Sequence, residues 1–160
     1  MIKIGDELPE IGFKFMGANG PEDIGAADLF SGKKVVLFSL PGAFTPTCSA
    51  KHLPGFVKNA TAIKAKGVDT IGCVAVNDAF VMDAWGRDQN VDDKVMMLAD
   101  GAAKWSDEIG LGIDLTAAGM GKRGRRFAMI VDNGVVSHLA VEEAGAFDVS
   151  SAEAILEVLG

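Results

Sequence analysis

Cysteine is scarce in this chain of 160 residues, which holds only Cys48 and Cys73, 25 positions apart. A secreted disulfide scaffold needs more cysteines than this, and a zinc site needs ligands at closer spacing. The scarcity excludes both classes and predicts a reducing compartment, the cytoplasm, in which free thiols persist. Thiol chemistry is therefore open to either cysteine.

Long apolar runs and an excess of basic residues are also missing. No segment reaches the roughly 18 apolar residues of a membrane span, and the first ten residues, MIKIGDELPE, carry acids where a signal peptide needs positive charge. Lysine and arginine total 15 against 22 acidic residues, and the net charge of -7 opposes a phosphate backbone. We expect neither a membrane nor a nucleic acid as partner.

Internal repeats, low-complexity tracts and Pro/Ser-rich linkers are absent, so nothing marks a domain boundary. Hydrophobic residues make up 49% of the chain and charged residues 23%, which is typical of a globular protein. A chain of this length buries a sizeable core without disulfides or metals. We predict one domain over residues 1–160.

Apolar runs predict the strands of a mixed sheet. Residues 33–40 and 68–76 are rich in β-branched side chains and resemble strands buried on both faces, and residues 95–100 predict a shorter strand. Residues 126–142 predict a hairpin that turns at Asp132-Asn133-Gly134. The glycine-rich stretch 110–125 is the part of the chain that these patterns define least.

Helix signals alternate with these strands. Thr45 followed by Pro46 has the form of an N-cap and a first helical position, and Asp78, or alternatively Asn77, caps a second helix. Helical turns are also predicted over 104–110 and 150–159. Parallel strand-helix units followed by an antiparallel hairpin give an α/β class with helices on both faces of the sheet, the pattern of a thioredoxin-like fold.

Cys48 occupies the first turn of the helix that Thr45 begins, just after the carboxyl end of a predicted strand. Unpaired N–H groups and the positive end of the helix dipole stabilise a thiolate at such a position. A cysteine can also be buried and inert, and position alone leaves both interpretations open.

The surrounding segment carries a resemblance to a known family. PGAFTPTCS (41–49) continued by HLPGF (52–56) resembles the active-site stretch of the type II, or peroxiredoxin 5, subfamily of peroxiredoxins, in particular its plant and bacterial branch. The resemblance extends through VNDAFVMDAWG (76–86) and RFAMIVDNGVV (126–136) in the family's order and spacing. It implies a thioredoxin-like enzyme that reduces hydrogen peroxide and small organic hydroperoxides by converting a Cys48 thiolate to a sulfenic acid, without metal or organic cofactor.

The resemblance also implies the other residues of the site. Thr45 matches the family's threonine, whose hydroxyl reaches sulfur or peroxide oxygen, although helix capping alone would explain it. Pro41 matches the proline that shields the thiolate from water, and it also ends a strand. Arg126 matches the family's arginine, a permanently charged donor suited to a thiolate and two oxygens. Arg125 is the alternative for this role. For the basic cluster from Lys122 to Arg126 as a whole, a solvated loop is favoured over a local anion patch.

Four aromatic or imidazole side chains are weaker candidates. His52 lies one helical turn after Cys48, and the resemblance suggests a supporting hydrogen bond, although a surface histidine is the competing interpretation. Phe44 and Trp85 match family aromatics near the pocket but also suit core or dimer contacts. His138 has no motif around it and is expected to be structural.

The sulfenic acid on Cys48 must be reduced by a thiol before further peroxide overoxidises it. The region 141–152, where some subfamily members carry an internal resolving cysteine, contains none. Cys73 sits inside an apolar strand, which favours a structural role over a resolving one. We therefore expect an external reductant, either glutathione with glutaredoxin or thioredoxin, and the resemblance implies a homodimer.

Three other functions compete with this one. A thiol-disulfide oxidoreductase typically has Cys-x-x-Cys, and Thr45 stands where the first cysteine would be. A cysteine hydrolase needs a histidine and an orienting partner on Cys48, and neither of the two histidines has such a context. A redox sensor or holdase that uses Cys48 as a switch is the remaining alternative. Sustained turnover with a reductant separates the enzyme from the switch.

Overall fold

The computed structural model describes residues 1–160 and contains nine strands in two sheets. The strands are β1 (Phe13–Gly17), β2 (Gly20–Ile24), β3 (Lys34–Ser39), β4 (Thr70–Ala75), β5 (Met96–Ala99), β6 (Gly112–Leu115), β7 (Gly121–Gly124), β8 (Phe127–Asp132) and β9 (Val135–Val141). The helices are α1 (Ala26–Phe30), α2 (Leu53–Ala65), α3 (Ala79–Asp88), α4 (Lys104–Glu108) and α5 (Ala152–Leu159). A π-helical segment, Cys48–His52, leads directly into α2, and a 3-10 turn, Thr116–Ala118, lies between β6 and β7.

The large sheet has seven strands in the order β2-β1-β5-β4-β3-β8-β9. Strand β4 pairs in parallel with β3 and β5, whereas the other neighbours are antiparallel. Alternate residues of β3 point to opposite faces, so Val36 and Phe38 join one apolar cluster while Val35 and Leu37 join the other. Helices α2, α3 and α5 cover the first face, and α1 and α4 cover the second. The thioredoxin-like α/β fold predicted from the sequence is thereby confirmed.

The main predicted elements form where the patterns indicated. Asp78 caps α3, with its side chain accepting from the Val81 N–H at 2.9 Å, so Asn77 is not the cap. The β8–β9 hairpin turns through Asn133 and Gly134, which have φ values of 48° and 81°, the left-handed conformations that an Asn-Gly turn supplies at least cost. None of the helices is long and apolar enough to cross a bilayer.

Two parts of the fold were not foreseen. The stretch 110–125 forms the short antiparallel pair β6–β7, a separate two-stranded sheet, because glycines at both ends hide its strand pattern. The N-terminal hairpin β1–β2 was also missed, because β2 reads GPEDI, a sequence with little β propensity. This hairpin attaches to the sheet through the β1–β5 bridge.

Candidate active site

The segment Pro41–Thr45 connects β3 to the helix that carries Cys48. The Thr45 hydroxyl donates to the Gly42 carbonyl at 2.7 Å, and the Ala43 N–H donates to Asn77 Oδ1 at 2.9 Å. Phe44 adopts φ 62°, a left-handed conformation that a bulky side chain adopts only where its surroundings hold it. These bonds fix the shape of the connection.

The start of the helix differs in one respect from the prediction. Helical geometry begins at Pro46, as expected, but the Thr45 side chain makes no capping bond, and its hydroxyl donates to the Gly42 carbonyl. The Leu53 N–H donates to the Cys48 carbonyl, five residues back, which makes 48–52 a π turn. Such widened turns are frequent at functional sites, and nothing in the sequence marks this one.

Cys48 lies in the first helical turn and is 1% exposed. Arg126, at the residue before β8, donates from Nη2 to the Cys48 sulfur over 3.2 Å. The permanently charged guanidinium therefore stands directly beside the sulfur. Arg126 thus reaches Cys48 from a segment remote in sequence, as the family resemblance implied, and Ala128 of β8 shares the core cluster of Cys48.

A second nitrogen of the same guanidinium binds His52. Arg126 Nη1 lies 2.8 Å from His52 Nδ1, and His52 Nε2 lies 2.9 Å from the Ser150 carbonyl oxygen. Since arginine is only a donor, Nδ1 accepts and is unprotonated, so Nε2 carries the proton and donates it to Ser150. Burial, reinforced by the charge of Arg126, lowers the pKa of His52 to about 3 and keeps the ring neutral.

Thr45 and Pro41 lie at the same end of the sheet. No hydrogen bond joins the Thr45 hydroxyl to the Cys48 sulfur; the hydroxyl proton points to Gly42, which leaves the Thr45 lone pairs as acceptors. A pocket of about 440 Å³ opens beside Arg126 and is lined in part by Pro41, Thr47 and Arg125. The pocket borders Arg126, which in turn contacts the buried sulfur.

The basic cluster is not the solvated loop that its sequence favoured. Arg123 donates from Nη1 to the Pro41 carbonyl at 3.2 Å and from Nε to the Met120 carbonyl at 3.0 Å. Arg125 contacts the Glu142 carbonyl at 3.4 Å and not the sulfur, so Arg126 and not Arg125 reaches Cys48. Arg123 and Arg125 are held by hydrogen bonds to backbone carbonyls, which sequence patterns do not reveal.

Three residues near the site were missed by sequence reasoning. Phe147 packs on His52, with ring centroids 5.0 Å apart, and lies under the Arg126 guanidinium at 5.8 Å. The Glu142 carboxylate is buried and accepts bonds from the segment that contains Ser150. A glutamate at the end of a strand is ordinarily exposed, so no signal in the sequence pointed to it.

Cys73 lies in the middle of β4 and is fully buried. It is opposite Phe38 of β3, and burial raises its pKa well above the ordinary value for a thiol. Both cysteines are free thiols, and they belong to the same apolar cluster. The surroundings of Cys73 disfavour a reactive thiolate.

The remaining candidates are divided between core and surface. Trp85 is fully buried and donates from Nε1 to Ser49 Oγ at 3.0 Å, next to Cys48 in the chain. Phe44 is 55% exposed and tilts toward Trp85 at a centroid distance of 6.4 Å. His138 lies on β9 opposite Ile130 and makes no hydrogen bond with the site. No group of three or more His, Cys, Asp or Glu side chains is arranged to hold a metal ion.

Comparison with known proteins gives a consistent family. The Redoxin family model matches residues 3–156. Peroxiredoxin-2C of Oryza sativa is 46% identical over 99% of this chain and 98% of its own length, and the chloroplastic Peroxiredoxin-2E of Arabidopsis thaliana is 45% identical over 99% and 69%. Reduced Prx3 from Vibrio vulnificus in complex with H₂O₂ superposes with a TM-score of 0.96, at 51% identity and full coverage of both chains.

These matches extend along almost the whole chain at identities well above the level at which only a fold is shared. They agree with the motif at residues 41–56 and with a thioredoxin-like sheet that ends at a buried, arginine-bound cysteine. The chain therefore belongs to the peroxiredoxins of the Redoxin family, the thiol peroxidases, and is similar to their type II members.

Proposed function

We propose that Cys48 is the peroxidatic nucleophile and that Arg126, Thr45 and Pro41 complete its site. The observation that carries the proposal is the 3.2 Å contact of the Arg126 guanidinium with a sulfur buried in the first turn of a helix. A fixed positive charge and the helix N–H groups together stabilise a thiolate. In a peroxidase of this family such a thiolate is the group that attacks the substrate.

The thiolate attacks one oxygen of the hydroperoxide, the S–O bond forms as the O–O bond breaks, and the second oxygen leaves as hydroxide or alkoxide. Two electrons pass from sulfur to the peroxide, and Cys48 becomes a sulfenic acid. Negative charge spreads over both oxygens in the transition state, where a permanently charged Arg126 stabilises it. The Thr45 lone pairs accept from the peroxide O–H, since the hydroxyl proton is held by Gly42.

Pro41 closes the rim of the pocket that leads to Arg126. It has no backbone N–H, so it brings no donor that would draw water toward the sulfur. We expect hydrogen peroxide and small organic hydroperoxides as substrates, entering through this pocket beside Pro41 and Arg126. Hydrogen peroxide is also the molecule named in the complex of the related Vibrio protein.

The sulfenic acid is reduced by a thiol from outside the chain. This reductant is either thioredoxin or glutathione, with glutaredoxin completing the second route. Cys73 is fully buried in a central strand, so a bond to Cys48 would require the helix start and β4 to open together.

We also propose that residues 1–160 act as one domain, since the large sheet takes strands from both halves of the chain. A reducing compartment such as the cytoplasm suits two free thiols.

A homodimer that packs near Phe44 is the assembly we propose. The Phe44 ring is 55% exposed beside the site, which is an unusual place for a large apolar side chain to face water. Sedimentation velocity of the wild type and Phe44→Glu tests this, with a dimer that the substitution dissociates as the expected result. A wild-type monomer at all concentrations contradicts it.

Consumption of hydrogen peroxide with dithiothreitol tests the catalytic assignment. Wild type and Cys73→Ser should turn over alike, whereas Cys48→Ser should be inert. Parallel assays with glutathione plus glutaredoxin and with thioredoxin identify the reductant. Full activity of Cys48→Ser would mean that another group attacks the peroxide.

A further inference from the structure

The segment 143–150 joins β9 to α5 and contains only turns, with no sheet or helix ladder to define its path. It nevertheless supplies two contacts to the site. The Ser150 carbonyl accepts the proton of His52 Nε2, and the Phe147 ring packs against His52 and the Arg126 guanidinium. An irregular segment can hold such contacts in place only if something fixes it to the body of the protein.

Glu142 provides that attachment. Its side chain is buried, and Oε2 accepts three hydrogen bonds, from the Asp148 N–H at 2.7 Å, the Ser150 N–H at 2.9 Å and the Ser150 hydroxyl at 2.7 Å. Apart from these bonds and the His52 bond, no hydrogen bond joins residues 143–150 to the rest of the chain. The carboxylate is therefore the main polar anchor of the segment.

The other end of Glu142 is tied to the catalytic arginine. Its backbone N–H donates to the Arg126 carbonyl at 3.0 Å, which extends the β8–β9 ladder by one pair. Glu142 thus holds the main chain of Arg126 on one side, and through Ser150 and His52 it reaches the Arg126 side chain on the other. Burial alone would raise the pKa of Glu142, but the hydrogen bonds from Ser150 and Asp148 lower it and keep the carboxylate ionised.

We propose that Glu142 is a positioning residue for peroxide reduction: its carboxylate shapes the 143–150 segment so that Ser150 and Phe147 fix His52, and His52 in turn fixes the guanidinium that holds the Cys48 sulfur. This inference rests on the proposed function of Cys48 and Arg126. It adds a group that touches neither substrate nor sulfur. The chain of contacts runs from Glu142 to Ser150, His52, Arg126 and Cys48, with every link at 3.2 Å or less.

Steady-state kinetics of Glu142→Ala and Glu142→Gln test the inference. In Glu142→Ala, kcat/KM for hydrogen peroxide should fall by about tenfold, because the arginine loses its fixed geometry. The value of kcat at saturating peroxide, which reports the reduction of the sulfenic acid, should stay near wild type. Glu142→Gln retains an acceptor oxygen of the same shape and should stay within about threefold of wild type. Glu157→Ala, an exposed glutamate on α5, is the matched control and should change neither constant.

A merely structural Glu142 would give a different pattern. Loss of folded enzyme lowers kcat and kcat/KM by the same factor, and loss of stability alone lowers the melting temperature and changes neither constant per active site. Either result for Glu142→Ala overturns the inference. Should that variant not fold, Ser150→Ala and Phe147→Ala decide: each should lower kcat/KM for peroxide by at least about threefold, and unchanged values in both overturn it.

The two proposals fail in distinguishable ways. If Cys48→Ser consumes peroxide like the wild type, the proposed function is wrong. If Cys48→Ser is inert and kcat/KM is unchanged in folded Glu142→Ala, only the role of Glu142 is wrong.

Discussion

Among single side chains, Arg126 connects the most groups in the site. One of its nitrogens binds the Cys48 sulfur and another binds His52 Nδ1, so the planar guanidinium is fixed at two points. The neutral state of His52 is what makes the second bond possible, because a protonated ring could not accept from a cation. The charged group beside the Cys48 sulfur is therefore oriented by an uncharged partner.

Arg126→Lys should lower the second-order rate constant for oxidation of Cys48 by hydrogen peroxide by about 100-fold. A lysine ammonium keeps the charge but cannot reach both the sulfur and His52 from one planar group. Stopped-flow oxidation of the reduced enzyme measures this rate. Arg87→Lys is the matched control, because Arg87 is exposed on α3 and pairs only with Asp83, so it should behave as wild type.

His52 should make folding stability depend on pH in a defined window. Its folded pKa of about 3 lies below the ordinary 6.5, so below about pH 6.5 the unfolded chain binds a proton that the folded protein excludes. Stability contributed by this group is complete above that pH and falls by up to about 1.4 kcal/mol per pH unit below it. Urea unfolding of the wild type and His52→Gln between about pH 7 and pH 5 tests this, since the variant should lose that part of the slope. Parallel profiles of the two proteins would contradict it.

Among the elements, the Pro41–Thr45 connection depends on a neighbour from the β6–β7 pair. Arg123 of β7 donates to the Pro41 carbonyl, and a Cβ on Gly42 would stand only 2.5 Å from Arg123 Nη1. Because position 42 has no side chain, Arg123 can approach closely enough to hold the Pro41–Thr45 connection through this hydrogen bond. This contact gives the short β6–β7 sheet a part in shaping the site.

Gly42→Ala should leave stability within about 1 kcal/mol, because a flexible arginine tip can move away, but should lower the peroxide rate constant by about tenfold. In an Arg123→Ala background the same substitution should have little further effect, since the bond is already lost. Stopped-flow oxidation of the wild type, Gly42→Ala, Arg123→Ala and the double variant completes this double-mutant cycle. Gly25→Ala is the control, as its backbone φ is -76° and nothing lies within 4 Å of the added Cβ. If the effects of Gly42→Ala and Arg123→Ala on the peroxide rate constant are additive, Arg123 does not hold the connection in the way described.

The sequence was informative where a pattern is local and less so where a contact is made across the fold. The apolar runs of β3 and β4 and the Asn133-Gly134 turn carry period and turn signals that act within a few residues, and each formed as predicted. Predicting the Arg126–Cys48 contact depended on the family resemblance, because hydrophobic periodicity does not give the order of strands in a sheet. The anchor at Glu142 carries no local signal, since its donors come from the backbone of a turn segment.

For the molecule as a whole, the site lies at the end of a core that both cysteines share. Cys48, which Arg126 contacts, and Cys73 are both buried in one apolar cluster, and Cys73 lies on a strand that pairs on both sides. The same core therefore contains one sulfur that Arg126 contacts and one whose pKa burial raises well above the ordinary value for a thiol.

Cys73→Ser should destabilise the protein by about 1–3 kcal/mol, because a hydroxyl placed among apolar side chains lacks a partner there. Cys73→Ala should cost less, since it introduces no polar group. Chemical unfolding of the three proteins measures the difference, and peroxide turnover per folded molecule should be the same in all of them. A loss of turnover in folded Cys73→Ala would assign Cys73 a part in the catalytic cycle.

Trapping the sulfenic acid tests the central claim most directly. Reduced protein is treated with one equivalent of hydrogen peroxide in the presence of dimedone, and the modified cysteine is located by mass spectrometry. The dimedone adduct should form on Cys48 in the wild type and in Cys73→Ala, and its formation should slow by about 100-fold in Arg126→Lys. An adduct on Cys73, or a rate on Cys48 that does not depend on Arg126, would contradict the mechanism.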